Sequence, residues 1–320
     1  MQQPSRKPFA RIAVPEGFDR DEPQLVGVSG GRDSIALLHW MHANGFRKTI
    51  ACHLDHRLRP ESDDDAAFVR QFAADLGLDC VLGSADVRAL AKHGKLSIET
   101  AARESRYDFF ARTAHGRNCR RLFLAHHADD QVETFLHNLL RGAGPGGLGG
   151  MGAVSTREIP GEELIVARPL LEIWRDEIDA YIAAHRLPFR EDASNADPAF
   201  TRNRLRHSVL PGLSKAMGRD VRPVLLRTAE MLRAEDEFLA AQPELRGAPD
   251  ALPVATLRSL PLALQRRLIL TWLRRHGVAS CGFAEVEGVR SLLGTRPAKI
   301  NLPGGLCARR REKRIFIAPQ

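Results

Sequence analysis

The chain has 320 residues and a formal charge of +8, with 43% hydrophobic and 27% charged residues. That length supports a substantial core in one large or two moderate domains, and the composition excludes a chain disordered over most of its length. The excess of Lys and Arg favours a polyanionic partner such as nucleic acid.

The five cysteines, at 52, 80, 119, 281 and 307, form no Cys-x-x-Cys pair. Neither a disulfide framework nor a zinc or iron-sulfur site is signalled, and a reducing cytoplasm is the expected compartment. Met1 to Arg11 is polar and basic, and no later stretch approaches the roughly 18 consecutive apolar residues of a membrane helix. A chain that is neither secreted nor membrane-spanning is expected.

From Gln24 onward, short apolar runs alternate with helical ones. Leu25 to Val28, Thr49 to Leu54, Cys80 to Leu82 and Leu122 to Ala125 read as buried strands, each followed by a helical segment, the pattern of a parallel α/β sheet. A helix is expected from Ser62, where Asp63, Asp64 and Asp65 meet the positive end of its dipole. Gly142 to Gly152 is too rich in glycine for a regular element and reads as a mobile loop. A strand at Leu164 to Ala167, a helix from Trp174 to His185, and a polar segment from Glu191 to Asp197 leading to another helix follow.

Near Pro211-Gly212 the pattern changes to amphipathic helices, Val221 to Ala241 and Leu262 to Gly277, so a division into 1–214 and 215–320 is expected. The second part is basic, helical and free of motif chemistry, which suits a nucleic-acid-gripping domain. At its end Lys299 to Leu302 and Arg314 to Ile317 read as short strands. Pro303-Gly304-Gly305 and the basic run Arg309 to Arg311 join them, and such a run is ordinarily a solvated face.

The segment Ser29-Gly30-Gly31-Arg32-Asp33-Ser34 follows the first strand and precedes a helical pattern. That context aims main-chain N–H groups and a helix N-terminus at whatever lies above the sheet, which suits phosphate. Gly30 and Gly31 permit close approach, Ser29 and Ser34 add hydroxyls, and Asp33 can reach a magnesium ion or a helix N–H. No Gly-Lys-Ser/Thr follows, so this is not a Walker loop. A literal Gly-x-Gly-x-x-Gly at Gly142, Gly144 and Gly147 follows a helix rather than a strand and so fails as a dinucleotide signature.

Ser-Gly-Gly-x-Asp-Ser after a first strand resembles the pyrophosphate (PP) loop of the N-type ATP pyrophosphatases. The resemblance implies a parallel-sheet ATP pyrophosphatase domain, followed here by a smaller, mainly helical domain with a short terminal β element. It also implies cleavage of ATP between the α and β phosphates with transfer of AMP to a carbonyl-like oxygen.

Further segments are similar to one branch, the tRNA(Ile)-lysidine synthetases. His53-Leu54-Asp55-His56-Arg57-Leu58-Arg59 resembles the motif after the second strand where the main chain meets adenine, with Arg57 standing where members often carry Gly. Glu99, Arg103, Arg106 and Phe110, spaced by four, three and four, share one helical face, and the resemblance turns Arg103 toward the active site. Ala125-His126-His127-Ala128-Asp129-Asp130-Gln131-Val132-Glu133-Thr134 puts carboxylates and imidazoles at the end of a parallel strand, where α/β sheets place their chemistry. Arg168-Pro169-Leu170-Leu171 and Asn195-x-Asp197-x-x-Phe200-x-Arg202-Asn203-Arg204-x-Arg206 continue the match.

The resemblance implies catalytic roles for Asp130, His126 and Arg103, and ATP contacts from Ser29, Gly30, Gly31, Arg32, Asp33, Ser34 and His53. Mg2+ is expected on Asp33 and Asp130, and tRNA on Arg202, Arg204 and Arg206, three cations suited to clamping phosphate. Adjacent histidines without a third well-spaced ligand argue against zinc. The thiolase relatives mostly need cysteine pairs, which are lacking.

The implied reaction activates the wobble cytidine of isoleucine tRNA with a CAU anticodon by adenylation. Free L-lysine then displaces AMP at C2, changing decoding from AUG to AUA. Asp129, Asp130 and His126 qualify by type as proton acceptors for the lysine amine. A second copy of the chain is a further candidate partner. Longer members of the family carry another domain after this region, which the sequence is expected to lack.

Overall fold

Three apolar runs of the first half become largely buried strands, at Gln24–Gly27, Thr49–Asp55 and Arg121–Phe123. Cys80 to Leu82, expected to be buried, falls in the edge strand Asp79–Ser84 and is only half-buried, because nothing pairs with its outer side among the described residues. The computed structural model describes residues 9, 11–58, 62–159, 162–191, 201–245, 249–278 and 281–320. The elements run β1 (Gln24–Gly27), α1 (Arg32–Ala43), β2 (Thr49–Asp55), α2 (Ser62–Asp75), β3 (Asp79–Ser84), α3 (Val87–Gly94), α4 (Ile98–Gly116), β4 (Arg121–Phe123), α5 (Ala128–Leu140), α6 (Pro145–Leu148), β5 (Val154–Ile159), β6 (Glu162–Ala167) and α7 (Arg175–His185). They continue with α8 (Thr201–Arg204), a π-helical turn at Leu205–Val209, α9 (Leu210–Met217), α10 (Arg222–Ala240), β7 (Leu252–Pro253), α11 (Val254–Ser259), α12 (Leu262–Arg275), α13 (Phe283–Ser291), β8 (Lys299–Leu302), β9 (Leu306–Arg311) and β10 (Arg314–Pro319).

The first sheet has the order β3-β2-β1-β4-β6-β5, parallel except for the antiparallel edge strand β5. Strand alternation divides its core. Val26 and Phe123 pack with Ile35, Leu38 and Trp40 of α1 and with Ile178 and Tyr181 of α7. Leu25 and Leu122, one residue earlier in each strand, pack on the other side with Tyr107, Phe109 and Phe110 of α4. The chain leaves β1 toward β2 and β3 and returns on the opposite flank as β4. A crevice therefore opens at the carboxyl ends of β1 and β4, the switch point where such sheets bind ligands.

The molecule divides into two units, Met1–Asn138 with Gly150–Ala229, and Leu139–Gly149 with Glu230–Gln320. The division falls inside α10, so residues 215–229, expected beyond a boundary at 214, group with the first unit. The glycine-rich segment contributes α6 to the second unit rather than remaining wholly a loop. Glycine is required there: a Cβ on Gly149 would lie 2.9 Å from Arg233 Cβ, and Arg233 Nε donates to the Gly149 carbonyl at 3.1 Å.

In the second unit, the antiparallel sheet β7-β10-β9-β8 packs one face on α11 to α13 around Leu257, Leu268, Trp272, Val286 and Val289. The run Arg309 to Arg311, read from sequence as part of a connection, lies in β9. It pairs with β10 through a two-residue turn at Glu312 and Lys313, both with positive φ. The polar segment Glu191 to Asp197, with Asn195 and Asp197, lies outside the described residues except for Glu191, as do Arg59 and Phe200.

Candidate active site

The loop after β1 is tied by its own serines. Ser29 N–H donates to Ser34 Oγ at 3.1 Å, Ser34 Oγ donates to the Gly31 carbonyl at 2.8 Å, and Gly31 N–H donates to Ser29 Oγ at 3.2 Å. Gly30, at φ +87°, supplies the left-handed turn, and its carbonyl accepts from Arg190 N–H at 2.9 Å. α1 follows with no side chain capping its N-terminus. An uncapped first turn presents N–H groups and partial positive charge to an anion.

Arg32 is engaged by carboxylates rather than left unpaired. It pairs with Asp179 at 2.6 Å and Glu191 at 3.4 Å and lies 4.7 Å from the Phe189 ring centre. Asp33 stays in the first turn, and its Oδ1 is buried without a hydrogen-bond partner.

Across the crevice, His126 and His127 lie in the short connection between the end of β4 and the start of α5. His127 main-chain N–H donates to Asp130 Oδ2 at 3.0 Å, which fixes that carboxylate at the helix start. The His127 ring is buried between three carboxylates: Nε2 is 3.7 Å from Asp33 and 3.6 Å from Asp130, and Nδ1 is 3.6 Å from Asp129. These distances exceed hydrogen bonds but lie within ion-pair reach. Asp129 accepts from the Arg175 N–H that opens α7 at 3.0 Å and from Arg222 Nη1 at 2.8 Å.

One turn along α5, the buried Glu133 accepts from Arg206 Nε at 2.6 Å, and Arg206 Nη2 reaches Asp130 Oδ1 at 3.2 Å. Burial raises Asp130, but the charges of His127 and His126, the His127 N–H and Arg206 outweigh it and hold the carboxyl below its usual range. For Glu133 the balance reverses: burial prevails over Arg206, and its carboxyl titrates above the usual range.

On the flank made by β2 and α4, His53 Nδ1–H donates to the Val28 carbonyl at 2.9 Å, leaving Nε2 buried without a partner. Arg106 donates to His56 Nε2 at 3.2 Å. Burial, then Arg106, lowers His56 to about 4, against the opposing charge of Asp55. His126 is also lowered to about 4, by burial reinforced by Arg168, Arg106 and Arg103 and only partly offset by Asp130, so it is neutral at neutral pH. Tyr107 lies beneath two guanidinium groups, Arg157 at 3.8 Å and Arg103 at 5.3 Å from the ring centre.

These groups line one cavity of about 1880 Å³ with Val28, Leu54, Phe110 and Leu124 as apolar walls. Small-ligand sites span roughly 300–1,000 Å³, so this space exceeds what a single nucleotide needs. Ser29, Gly31, Arg32, Asp33, Ser34, His53, Arg103, His126, Asp130 and Arg206 all line it, whereas Arg202 and Arg204 do not. Arg202 is exposed and lies 3.4 Å from Glu99, and Arg204 Nη2 donates to Thr201 at 3.0 Å. Alternate positions fan out around a helix, so the three arginines share no face. Arg57 has φ +50°, the left-handed conformation that favours Gly, and its N–H is secured on Asp55 Oδ1 at 2.7 Å.

Sequence reasoning did not single out His127, Arg175, Arg222 or Glu133. The doubled His-His and Asp-Asp was a signal for His127 and Asp129, and the Asp130–Glu133 spacing of three placed both carboxylates on one helical face. Nothing local pointed to Arg175 or Arg222, which arrive from distant helices.

Mg2+ takes one or two carboxylates plus phosphate oxygens rather than a cage made wholly of protein. The unpartnered Asp33 Oδ1 fits that chemistry, and among the described residues no cluster of three or more His, Cys, Asp or Glu forms a cage. Cys52 is the single described cysteine lining the cavity, and burial pushes its thiol far above its usual range.

Residues 2–213 match the PP-loop domain family, and residues 252–316 match the TilS substrate binding domain. A tRNA(Ile)-lysidine synthase of Geobacter sulfurreducens is 38% identical over 313 residues, covering 92% of this chain and 64% of that protein. One from Thermus thermophilus is 38% identical, covering 93% of this chain and 57% of that protein. One from Thermosynechococcus vestitus is 35% identical, covering 88% of this chain and 82% of that protein. The chain thus spans roughly three fifths of the length of the first two. The solved U34-tRNA thiolase NcsA of Methanococcus maripaludis shares the fold, with a TM-score of 0.53 at 17% identity over 67% of this chain and 72% of that one. With its loop, switch-point crevice and matched segments in agreement, the chain belongs to the PP-loop family, among the tRNA(Ile)-lysidine synthases.

Proposed function

We propose that the chain is an ATP-dependent ligase that joins free L-lysine to C2 of the wobble cytidine of isoleucine tRNA with a CAU anticodon. The observation that carries this reading is the convergence of the Ser29–Ser34 loop with His126, Asp130 and Glu133 at the switch point between β1 and β4. Family membership supplies the substrate class.

In the first step the cytidine O2 attacks the α-phosphorus of ATP, the bond to the bridging oxygen breaks, and pyrophosphate leaves. The N–H groups of the uncapped first turn of α1 bind phosphate oxygens, and neutral His126 lies where it can hydrogen-bond them or the base. The His53 region and the apolar walls receive the adenine. Asp33 and Asp130 would hold Mg2+, which when bound neutralises charge on the phosphates. The described residues hold no cysteine pair, and the lone cavity thiol is a poor nucleophile, so sulfur transfer is disfavoured.

In the second step the lysine amine nitrogen bonds to C2, the C2–O2 bond breaks, and AMP departs with that oxygen while the amine loses a proton. Of the carboxylates present, Asp129 is engaged by Arg222 and the Arg175 N–H, and Asp130 is held acidic. Glu133 is bonded to Arg206 in turn, but it titrates above the usual range and is the stronger base than Asp130, which suits it to accept the proton.

Incubation with ATP, labelled lysine and total bacterial tRNA tests the reading, with label expected in isoleucine tRNA alone. If no label enters, the lysine assignment fails. The Asp130→Ala variant is expected to keep tRNA affinity within about twofold and to lose at least about 100-fold in tRNA-dependent ATP–pyrophosphate exchange. Unchanged exchange removes Asp130 from the mechanism.

A further inference from the structure

Several of the arginines that line the crevice are committed to a carboxylate. Arg32 bonds Asp179 at 2.6 Å, Arg190 bonds Asp65 at 3.0 Å, Arg206 bonds Glu133 at 2.6 Å, and Arg222 bonds Asp129 at 2.8 Å. Arg175 differs. Its Nη1 lies 3.8 Å from Asp33 Oδ2, beyond hydrogen-bond length, and Asp33 is its one carboxylate partner among the described residues. The side chain lines the cavity and is 34% exposed, so the guanidinium can be reached from it.

The main chain holds this arginine in place without using its charge. Arg175 N–H donates to Asp129 Oδ2 at 3.0 Å, which pins the first residue of α7 beside the start of α5. From that fixed point the guanidinium reaches toward Asp33 in the first turn of α1. In the sheet, β2 with His53 flanks β1 on one side, β4 and β6 follow on the other, and α7 comes after β6. Arg175 thus approaches the Ser29–Ser34 loop from the side opposite the His53 region that receives adenine. A nucleotide with its base by His53 and its phosphates over the loop brings its β and γ phosphates nearest to Arg175.

We propose that Arg175 is a catalytic residue that grips the β and γ phosphates of ATP and stabilises pyrophosphate as it leaves. The proposal rests on the ATP-dependent reading above and deepens it. As the cytidine O2 bonds to the α-phosphorus, the bond to the bridging oxygen breaks and its electron pair stays with pyrophosphate. Negative charge grows there, and a guanidinium donating two N–H groups binds the departing group more strongly than it binds ATP. Arg175 gives up little on turning from Asp33 to phosphate, because the present pair is longer than a hydrogen bond and is reached by water. Arg32, inside the loop itself, is the poorer candidate, since Asp179 and the Phe189 ring hold it.

Isothermal titration of the full chain with ATP, with AMP and with inorganic pyrophosphate, each with Mg2+, provides the test. Arg175→Met removes the charge and keeps the main-chain bond to Asp129. It is expected to weaken ATP and pyrophosphate at least about tenfold and to leave AMP, which lacks the two outer phosphates, within about twofold. Arg175→Lys, a point charge without the fork, should recover part of the loss. In tRNA-dependent ATP–pyrophosphate exchange, Arg175→Met should lower kcat as well as raise the KM for ATP, because the contact strengthens as charge develops.

Arg112→Met, exposed on α4 beside Asp108, controls for the loss of one positive charge and should stay within about twofold of the parent for every ligand. An ATP affinity of Arg175→Met equal to that control, or AMP weakened as much as ATP, overturns the role of Arg175 and leaves the ATP reading standing. A lowered Tm with unchanged pyrophosphate affinity makes Arg175 a counter-ion of Asp33 alone and likewise overturns it. A parent chain that binds neither ATP nor AMP overturns both.

Discussion

At the scale of single residues, the site depends on which buried carboxylates have a counter-charge. Glu133 is 2% exposed and lies beside Asp130, with Arg206 as its bonded cation. Removing Arg206 leaves that carboxylate buried and raises its pKa further. The unfolded chain ionises this group near pH 4.5, and the folded chain does so only at higher pH. Stability is therefore retained below about 4.5 and lost as pH rises through the folded value. Arg206→Ala is expected to cost about 1–3 kcal/mol at pH 7.5, discounted because a quarter of the arginine side chain reaches solvent. Urea unfolding should show that deficit shrinking toward pH 4.5, and a pH-independent deficit contradicts the pairing.

At the scale of elements, the strained turn after β2 gives a clear contrast. Arg57 adopts a left-handed conformation costing an L-residue about 1 kcal/mol, and the hydrogen bond to Asp55 uses its main chain. Arg57→Gly keeps that bond and is expected to hold or raise Tm. Arg57→Val, branched at Cβ, should lose about 1–2 kcal/mol by thermal denaturation, and equal Tm values for the two would remove the strain. The buried parallel strands and their helices were legible in the sequence because burial on both faces leaves short, mainly apolar runs such as Leu25 to Val28. β5 was not, since Val-Ser-Thr-Arg-Glu-Ile packs on one side only and follows a glycine-rich stretch. β9 was obscured because its second half is the run Arg309-Arg310-Arg311. In the site, Ser29–Ser34 and His126–Asp130 were legible as local motifs. The Arg222–Asp129 and Arg206–Glu133 bonds were not, because their partners are 93 and 73 residues apart.

At the scale of the whole molecule, every residue lining the cavity lies between Gly27 and Arg222, inside the first unit. A fragment of residues 1–229 is expected to keep ATP-dependent stabilisation, about 2.7 kcal/mol at 100-fold excess over Kd, while its tRNA affinity falls at least about tenfold. Thermal shift and anisotropy separate the two, and loss of the ATP shift would mean that the pocket needs the second unit. The first sheet also has to end somewhere. At one edge it does so on β5, which pairs only with β6 among the described residues, and an edge strand of that kind invites another chain to add a strand. Arg157 and Glu158 sit at the middle of that strand, and Arg157 is anchored over the Tyr107 ring. Replacing both with valine would leave an uncharged, β-prone run from Val154 to Ile159, of the kind that seeds cross-β aggregates. The charges of one polar strand thus bear on whether the protein stays dispersed in a crowded cell.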